Sequence, residues 1–168
     1  MNQPIQLTKD AFNSLVANLL EIEEGFNTIF EEFFPEPSQE AEETKQNLKS
    51  YLQHMDETLR YITIDETAKN EFPFVIINSE VKVEEAGCLG IYRYKLVSPL
   101  KEKVYANEIS FLSPMGKALL LKEVNDNLVV EAPGGNYHYK VLSVWLGGGP
   151  KSFKFNSPVM RAGNNKLA

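Results

Sequence analysis

Cysteine occurs once in the 168 residues, as Cys88. The chain therefore forms no internal disulfide and no cysteine-based zinc site, and a lone thiol fits a reducing cytoplasm. Histidine occurs twice, as His54 and His138. They stand far apart without metal-ligand spacing, so both read as surface or locally satisfied side chains. No apolar run approaches the ~20 residues that a membrane helix needs. Residues 1–9 lack the basic-then-apolar order of a secretory signal, so none is expected. Gly147-Gly148-Gly149 is not followed by the Lys-Ser/Thr of a phosphate loop. No base accompanies the Ser-Pro sites in sequence, so no nucleophile constellation is visible.

Basic residues are scarce in the first part of the chain. Residues 1–68 hold 14 acidic and 4 basic side chains, and residues 69–168 hold 9 and 13, for a net charge of −6. The asymmetry is consistent with two units meeting different partners, and equally with an ordinary acidic helical surface.

What is present begins with heptads. Thr8 is placed to cap a helix whose apolar series is Phe12, Leu15, Leu19, Ile22, Phe26, Ile29 and Phe33, in steps of three and four. Pro35 and Pro37 stop that helix. Ser38 caps a second helix with the seam Ala41, Leu48, Leu52, Met55, Leu59 and Ile62, interrupted by Lys45. Two such helices joined by so short a loop must run antiparallel. Each is expected to span about 26 residues, or about 40 Å at 1.5 Å per residue. The pattern does not separate a projecting hairpin from a dimerisation coiled coil or a hairpin folded against the rest of the chain. Its tip is acidic. Glu31 and Glu32 end the first helix, where the helix dipole disfavours anions, while Glu36, Glu40, Glu42 and Glu43 sit in the turn and at the start of the second, where anions are favoured.

A polar stretch, residues 65–71, links to a part rich in alternating β-branched and aromatic residues. Strands are expected at residues 74–83, 91–97, 108–112, 128–132 and 137–146. A short helix at 115–121 is introduced by Ser113 as cap and Pro114 in its first turn. Pro133-Gly134-Gly135-Asn136 is the turn of the last hairpin. The fold class is α+β: a helical coiled-coil hairpin (residues 1–66), an antiparallel β domain with one short helix (67–150), and a tail (151–168) that adds an edge strand or stays mobile.

The run Ile109-Ser110-Phe111-Leu112-Ser113-Pro114-Met115-Gly116-Lys117-Ala118-Leu119-Leu120 resembles the C-terminal signature of the Gre (GreA/GreB) transcript-cleavage factor family. So does the continuation of the chain: Lys122-Glu123-Val124-Asn125-Asp126, a strand, then Ala132-Pro133-Gly134-Gly135. The resemblance covers residues 74–145, and the helical hairpin matches the family's layout. It implies an FKBP-like C-terminal domain that docks by the mouth of the RNA polymerase secondary channel. Ser113, Pro114 and Met115 then stand at the polymerase-binding loop, although cap, helix start and core account for them equally well. It implies a coiled coil that enters the channel, near nascent RNA and DNA. Acidic tip residues there help hold a Mg²⁺ at the polymerase's own active centre, so that the polymerase cuts its backtracked RNA. The factor itself is no enzyme, binds no cofactor stably and works in the cytoplasm. The tip candidates are Glu36, Glu40 and Glu43, with Glu40 and Glu43 as metal ligands in trans.

The tip also departs from the family. Cleaving members carry an Asp and a Glu in a Gly-Asp-Leu-Lys-Glu-Asn-Ala-Glu-Tyr-like run. Here the region reads Phe33-Phe34-Pro35-Glu36-Pro37-Ser38-Gln39-Glu40-Ala41-Glu42-Glu43. A non-cleaving regulator of the channel, anti-Gre or similar to nucleoside-diphosphate-kinase regulators, is therefore the alternative. A remoter one is an FKBP-like prolyl isomerase or binding module. That reading needs a pocket lined by aromatics, for which Tyr92, Tyr94, Tyr137, Tyr139 and Trp145 are available.

Overall fold

The computed structural model describes residues 4–88, 90–102 and 104–147. The expectations for the tail, and for most of the Gly147-Gly148-Gly149-Pro150 turn, lie outside the described residues. The chain divides into two compact units, Met1–Ala68 and Lys69–Ala168.

The first unit is a helical hairpin closed at its base. Strand β1 (Ile5–Leu7) leads into α1 (Lys9–Glu24), capped by the Thr8 hydroxyl, which accepts from the Ala11 N–H. Helix α2 (Phe26–Phe33) follows, and α3 (Gln39–Thr58) returns, capped by Ser38 accepting from the Ala41 N–H. The expected single first helix is thus divided at Gly25, the residue of lowest helix propensity in the run apart from proline. Its N–H still donates to the Glu21 carbonyl and its own carbonyl accepts from the Ile29 N–H, so helical hydrogen bonding continues across the division.

The core seam is close to the heptad reading but is displaced by one residue at Phe12, Leu52 and Leu59, which are half-buried while their neighbours Ala11, Tyr51 and Thr58 are buried, and it shifts again near the tip. Ala11, Leu15, Leu19, Ile22, Ile29 and Phe30 are buried on one leg, and Ala41, Leu48, Tyr51, Met55 and Thr58 on the other. Phe33, expected in the seam, is 44% exposed; Phe30 takes its place, between Phe26 (ring centroids 5.0 Å) and Phe34 (5.7 Å). Beyond Gly25, Ile29 keeps its expected place seven residues after Ile22, and Phe30 rather than Phe33 completes the apolar face. Lys45, the break in the second seam, lies 5.4 Å over the Phe30 ring and ties the legs together by a cation–π contact.

At the base, a 3-10 turn (Leu59–Tyr61) leads into β2 (Ile62–Ile64). This strand pairs in parallel with β1, Ile5 opposite Ile62 and Leu7 opposite Ile64. Ile62, expected as the last residue of the helical seam, is therefore a strand residue. The ribbon is locked by the Asp65 N–H donating to the Leu7 carbonyl (2.9 Å) and the Lys9 N–H donating to Glu66 (3.0 Å).

The second unit holds one five-stranded sheet in the order β5-β4-β3-β7-β6. The strands are β3 (Glu80–Glu85), β4 (Ile91–Val97), β5 (Glu108–Ser110), β6 (Asn127–Ala132) and β7 (Gly135–Trp145), with helix α4 (Pro114–Leu119) between β5 and β6. Three pairings are antiparallel, but β5 runs parallel to β4, so the sheet is mixed and not purely antiparallel as expected. The connection from Val97 to Glu108 is long enough to carry the chain back to Lys95, so that β5 runs alongside the last three residues of β4. The turn between β6 and β7 is Pro133-Gly134, with Ala132 opposite Gly135. Leu142 is the extra residue of a bulge where β7 passes Lys82 and Val83.

The strand expected at residues 74–83 begins only at Glu80. Before it, Val75, Ile76 and Ile77 are fully buried in an irregular segment, a continuous apolar run without alternation. Asn78 there adopts a left-handed φ of 74°, and the Ser79 hydroxyl donates to the Ile76 carbonyl (2.6 Å) while accepting from the Ile76 N–H (3.1 Å). A buried backbone turn is tolerable only with its polar groups paired, and Ser79 pairs them.

Candidate functional site

Two features carry the residues singled out from the sequence: the hairpin tip in the first unit and the β5–α4 junction in the second. At the tip, Glu36 lies in the bend between Pro35 and Pro37, and Glu40 and Glu43 stand one helical turn apart at the start of α3. Glu36, Glu40 and Glu43 are all exposed. Glu43 accepts from the Gln39 side-chain amide at 2.9 Å. Among the described residues, no group of three or more His, Cys, Asp or Glu is arranged to hold a metal ion. A spacing of three on a helix leaves Glu40 and Glu43 able to lend one oxygen each to an ion held mainly by other ligands, a role that suits Mg²⁺, which keeps several waters. The tip is also aromatic, since Phe30, Phe33 and Phe34 lie just before its carboxylates in the chain, with Phe30 and Phe34 stacked.

At the β5–α4 junction, Ser113 is 6% exposed and Met115 fully buried. The Ser113 hydroxyl donates to the Ser110 carbonyl (2.7 Å) and accepts from the Gly116 N–H (3.0 Å), while Pro114 occupies the first helical position. Cap and core thus account for Ser113 and Met115, and Pro114 alone of the three is partly exposed. The observed helix ends at Leu119, two residues earlier than expected, because Leu121 turns to a left-handed φ of 65°. Gly116 had no assigned role in the sequence. A Cβ built on it would meet Ser110 and Phe111 backbone atoms at 2.0–2.9 Å, so only glycine fits where the helix crosses the end of β5.

The second unit also has a cleft of about 740 Å³ at the far end of β3, lined by Glu84, Glu85, Cys88, Leu128, His138 and Tyr139 among others. Of the five aromatics available for an isomerase pocket, Tyr139 alone lines it. Tyr94 and Trp145 are buried in the sheet, and Tyr92 donates its hydroxyl to Glu85 at 2.8 Å. Burial and the Glu85 carboxylate push the Tyr92 hydroxyl up to about 12, and burial first, then neighbouring tyrosines, also raises Tyr94. These rings are neutral packing groups.

The matched family is described as Transcription elongation factor, GreA/GreB, C-term, and it covers residues 69–146, the described part of the second unit to within one residue. GreA from Syntrophobacter fumaroxidans is 30% identical over 104 residues, which cover 62% of this chain and 67% of that protein. The chain belongs to the GreA/GreB family. GreA from Syntrophus aciditrophicus is 28% identical over 106 residues; there the match spans just under two thirds of the relative, 66%, and 63% of this chain. GreA from Chlorobium phaeobacteroides is 26% identical over 159 residues, 87% of this chain and 99% of that protein, so this likeness of the GreA/GreB member reaches into the hairpin unit. A solved structure, the GreA/GreB elongation factor from Nitrosomonas europaea, is similar at 21% identity and a TM-score of 0.48, covering 84% of this chain and 98% of that chain. No helix among the described residues is long and apolar enough to cross a membrane.

Proposed function

We propose that this chain binds bacterial RNA polymerase and acts at its secondary channel in the cytoplasm as an elongation factor of the GreA/GreB kind. The observation that carries the reading is the family match over residues 69–146. The names of its relatives, transcription elongation factors GreA and GreB, support it. In this reading the hairpin enters the channel beside nascent RNA and DNA, and Pro114 stands in the docking surface of the second unit. Glu36, Glu40 and Glu43 face the polymerase active centre, with Glu40 and Glu43 each able to offer an oxygen to a Mg²⁺ there. Such an ion, when bound, activates water for hydrolysis of the backtracked transcript. The chain contributes ligands and no catalytic group of its own.

A second reading, a non-cleaving regulator of the same channel, is favoured by one observation: Glu36 is fixed between two prolines and, among the described residues, no three tip acids gather. Purified polymerase stalled in a backtracked state, with magnesium and this protein added, separates the two. Shortening of the RNA from its 3′ end, lost in a Glu36→Ala, Glu40→Ala, Glu43→Ala variant, supports cleavage. Competition with an authentic GreA without shortening supports the regulator. Absence of both sinks polymerase binding.

A further inference from the structure

The five-stranded sheet ends in two unequal edges. Strand β5 is three residues long, whereas β6 is six residues long and pairs with β7 without any shift of register. Edge strands are usually guarded against further pairing by lysine, proline or a bulge. Strand β6, Asn127-Leu128-Val129-Val130-Glu131-Ala132, has none of these. The Val141 N–H donates to the Asp126 carbonyl at 2.9 Å, so Asp126 faces β7. The alternation of an antiparallel ladder then turns the N–H and C=O groups of Asn127, Val129 and Glu131 away from β7, to the outer edge. Among the described residues, those outward groups meet no hydrogen-bond partner. The side chains of the same three residues are exposed, Val129 by 46%.

This edge is complementary to itself in one register. With Val129 opposite its own counterpart across a two-fold axis, Asn127 opposes Glu131 and Glu131 opposes Asn127. Each outward residue then exchanges both of its backbone hydrogen bonds with the residue opposite. The two Glu131 carboxylates lie four positions apart, about 13 Å at ~3.3 Å per residue. An axis at Val130 would bring them to about 6.6 Å and set Asn127 against Pro133, which has no N–H to donate. An axis at Leu128 would run Glu131 against Asn125, whose φ of 77° lies outside strand geometry. Charge favours the central register as well. Lys140, exposed beside Asn127 on β7, makes no ion pair among the described residues. In the paired sheet it stands two strand spacings, about 10 Å, from Glu131 of the second copy, a gap that the two long side chains can close together.

We infer that the outer edge of β6 is a self-association surface, on which a second copy of this chain lays its own β6 antiparallel, centred on Val129, so that one sheet continues across two chains. The contact is a few residues wide on each side, below the ~1,200 Å² of a standard stable interface, so the association is weak and grows with concentration.

The test is sedimentation equilibrium of the full chain over a concentration series, with thermal melting of every variant at low concentration as the fold control. The wild type is expected to pass from monomer towards dimer as concentration rises. Val129→Lys and Val129→Asp each set two like charges against each other at the axis, and each is expected to weaken association about ten-fold with little change in the melt. Mixing the two variants sets lysine against aspartate and is expected to restore the dimer as a heterodimer. Undiminished dimer in either single variant, or no recovery in the mixture, overturns the edge and its register. A wild type that stays monomeric to its highest soluble concentration overturns the second copy as the occupant. If the Val129 and Glu131 amides of that monomer still resist hydrogen exchange, the edge belongs to another strand of the same chain.

Discussion

The backbone of Gly116 lies so close to Ser110 that a Cβ on the glycine would stand 2.0 Å from the serine carbonyl oxygen. That oxygen is already engaged, accepting from the Ser113 N–H and hydroxyl at 3.0 and 2.7 Å. It has no room to retreat without breaking the cap of α4. Gly116→Ala is expected to destabilise the second unit by about 1–3 kcal/mol through overpacking. Urea unfolding followed by Trp145 fluorescence measures it, since that tryptophan is the only one in the chain. An unchanged midpoint would mean that α4 can slide away from β5.

The two serine caps differ in burial, and their removal should differ accordingly. Ser38 caps an exposed helix end, so Ser38→Ala is expected to cost about 0.5–1 kcal/mol. Ser113→Ala leaves the Gly116 N–H, in a buried setting, without its acceptor and should cost about 2 kcal/mol. Pro114→Ala should leave the melt nearly unchanged. A loss of polymerase binding in Pro114→Ala would therefore report contact, whereas the same loss in Ser113→Ala would report folding.

Arg93 bonds Glu80 at 2.7 Å and lies 4.8 Å over the Trp145 ring, with both charged side chains largely buried. Removing one partner strands the other charge, so Glu80→Ala is expected to cost about 3 kcal/mol. A Glu80→Leu, Arg93→Met double variant should recover most of that loss. A double-mutant cycle by chemical denaturation checks it, and additive losses would show that the ion pair contributes nothing beyond packing.

Tyr92 titrates above its usual range, at about 12, because burial and the Glu85 carboxylate both disfavour the phenolate. A group whose folded pKa is raised contributes stability that is complete below its unfolded pKa and fades as pH rises through the folded one. The second unit should therefore lose stability between about pH 10 and pH 12. Tyr92→Phe should lessen the slope of stability against pH in that window, and Tyr94, raised by burial, accounts for part of what remains. Equal slopes for wild type and Tyr92→Phe would contradict the assignment.

Local chemistry was the legible part of the sequence. Thr8, Ser38 and Ser113 each cap the helix they were expected to cap, and Pro133-Gly134 makes the last turn, because these residues act over three or four positions. The family was legible through the Ser-Pro and Pro-Gly-Gly elements for the same reason. Pairings over long separations were not. Strands β1 and β2 are three residues each, too short for an alternation to show, and they meet across the whole hairpin. The parallel sense of β5 depends on a connection whose Ser98-Pro99 turn signal governs only its first residues and not the direction in which the chain returns. Residues 75–77 read as a strand because an unbroken apolar run is common to strands and to buried irregular chain. At the candidate sites, the exposure of Glu40 and Glu43 accords with their place at a helical tip. The burial of Ser113 and Met115 required three-dimensional neighbours that spacing does not reveal.

The β1–β2 ribbon has a consequence for how the hairpin can move. Two packed helices can creep past each other in whole turns, steps of about 5.4 Å, because each turn offers a new set of holes to the same knobs. Paired strands re-register in steps of two residues, about 6.6 Å, if each side chain is to keep its face. These two rulers do not share a graduation within any small displacement. With Leu7 fully buried opposite Ile64, the legs are joined at the base by a vernier that reads zero in one position. The length from base to acidic tip is thus fixed within the hairpin, which the channel-entering role proposed above requires.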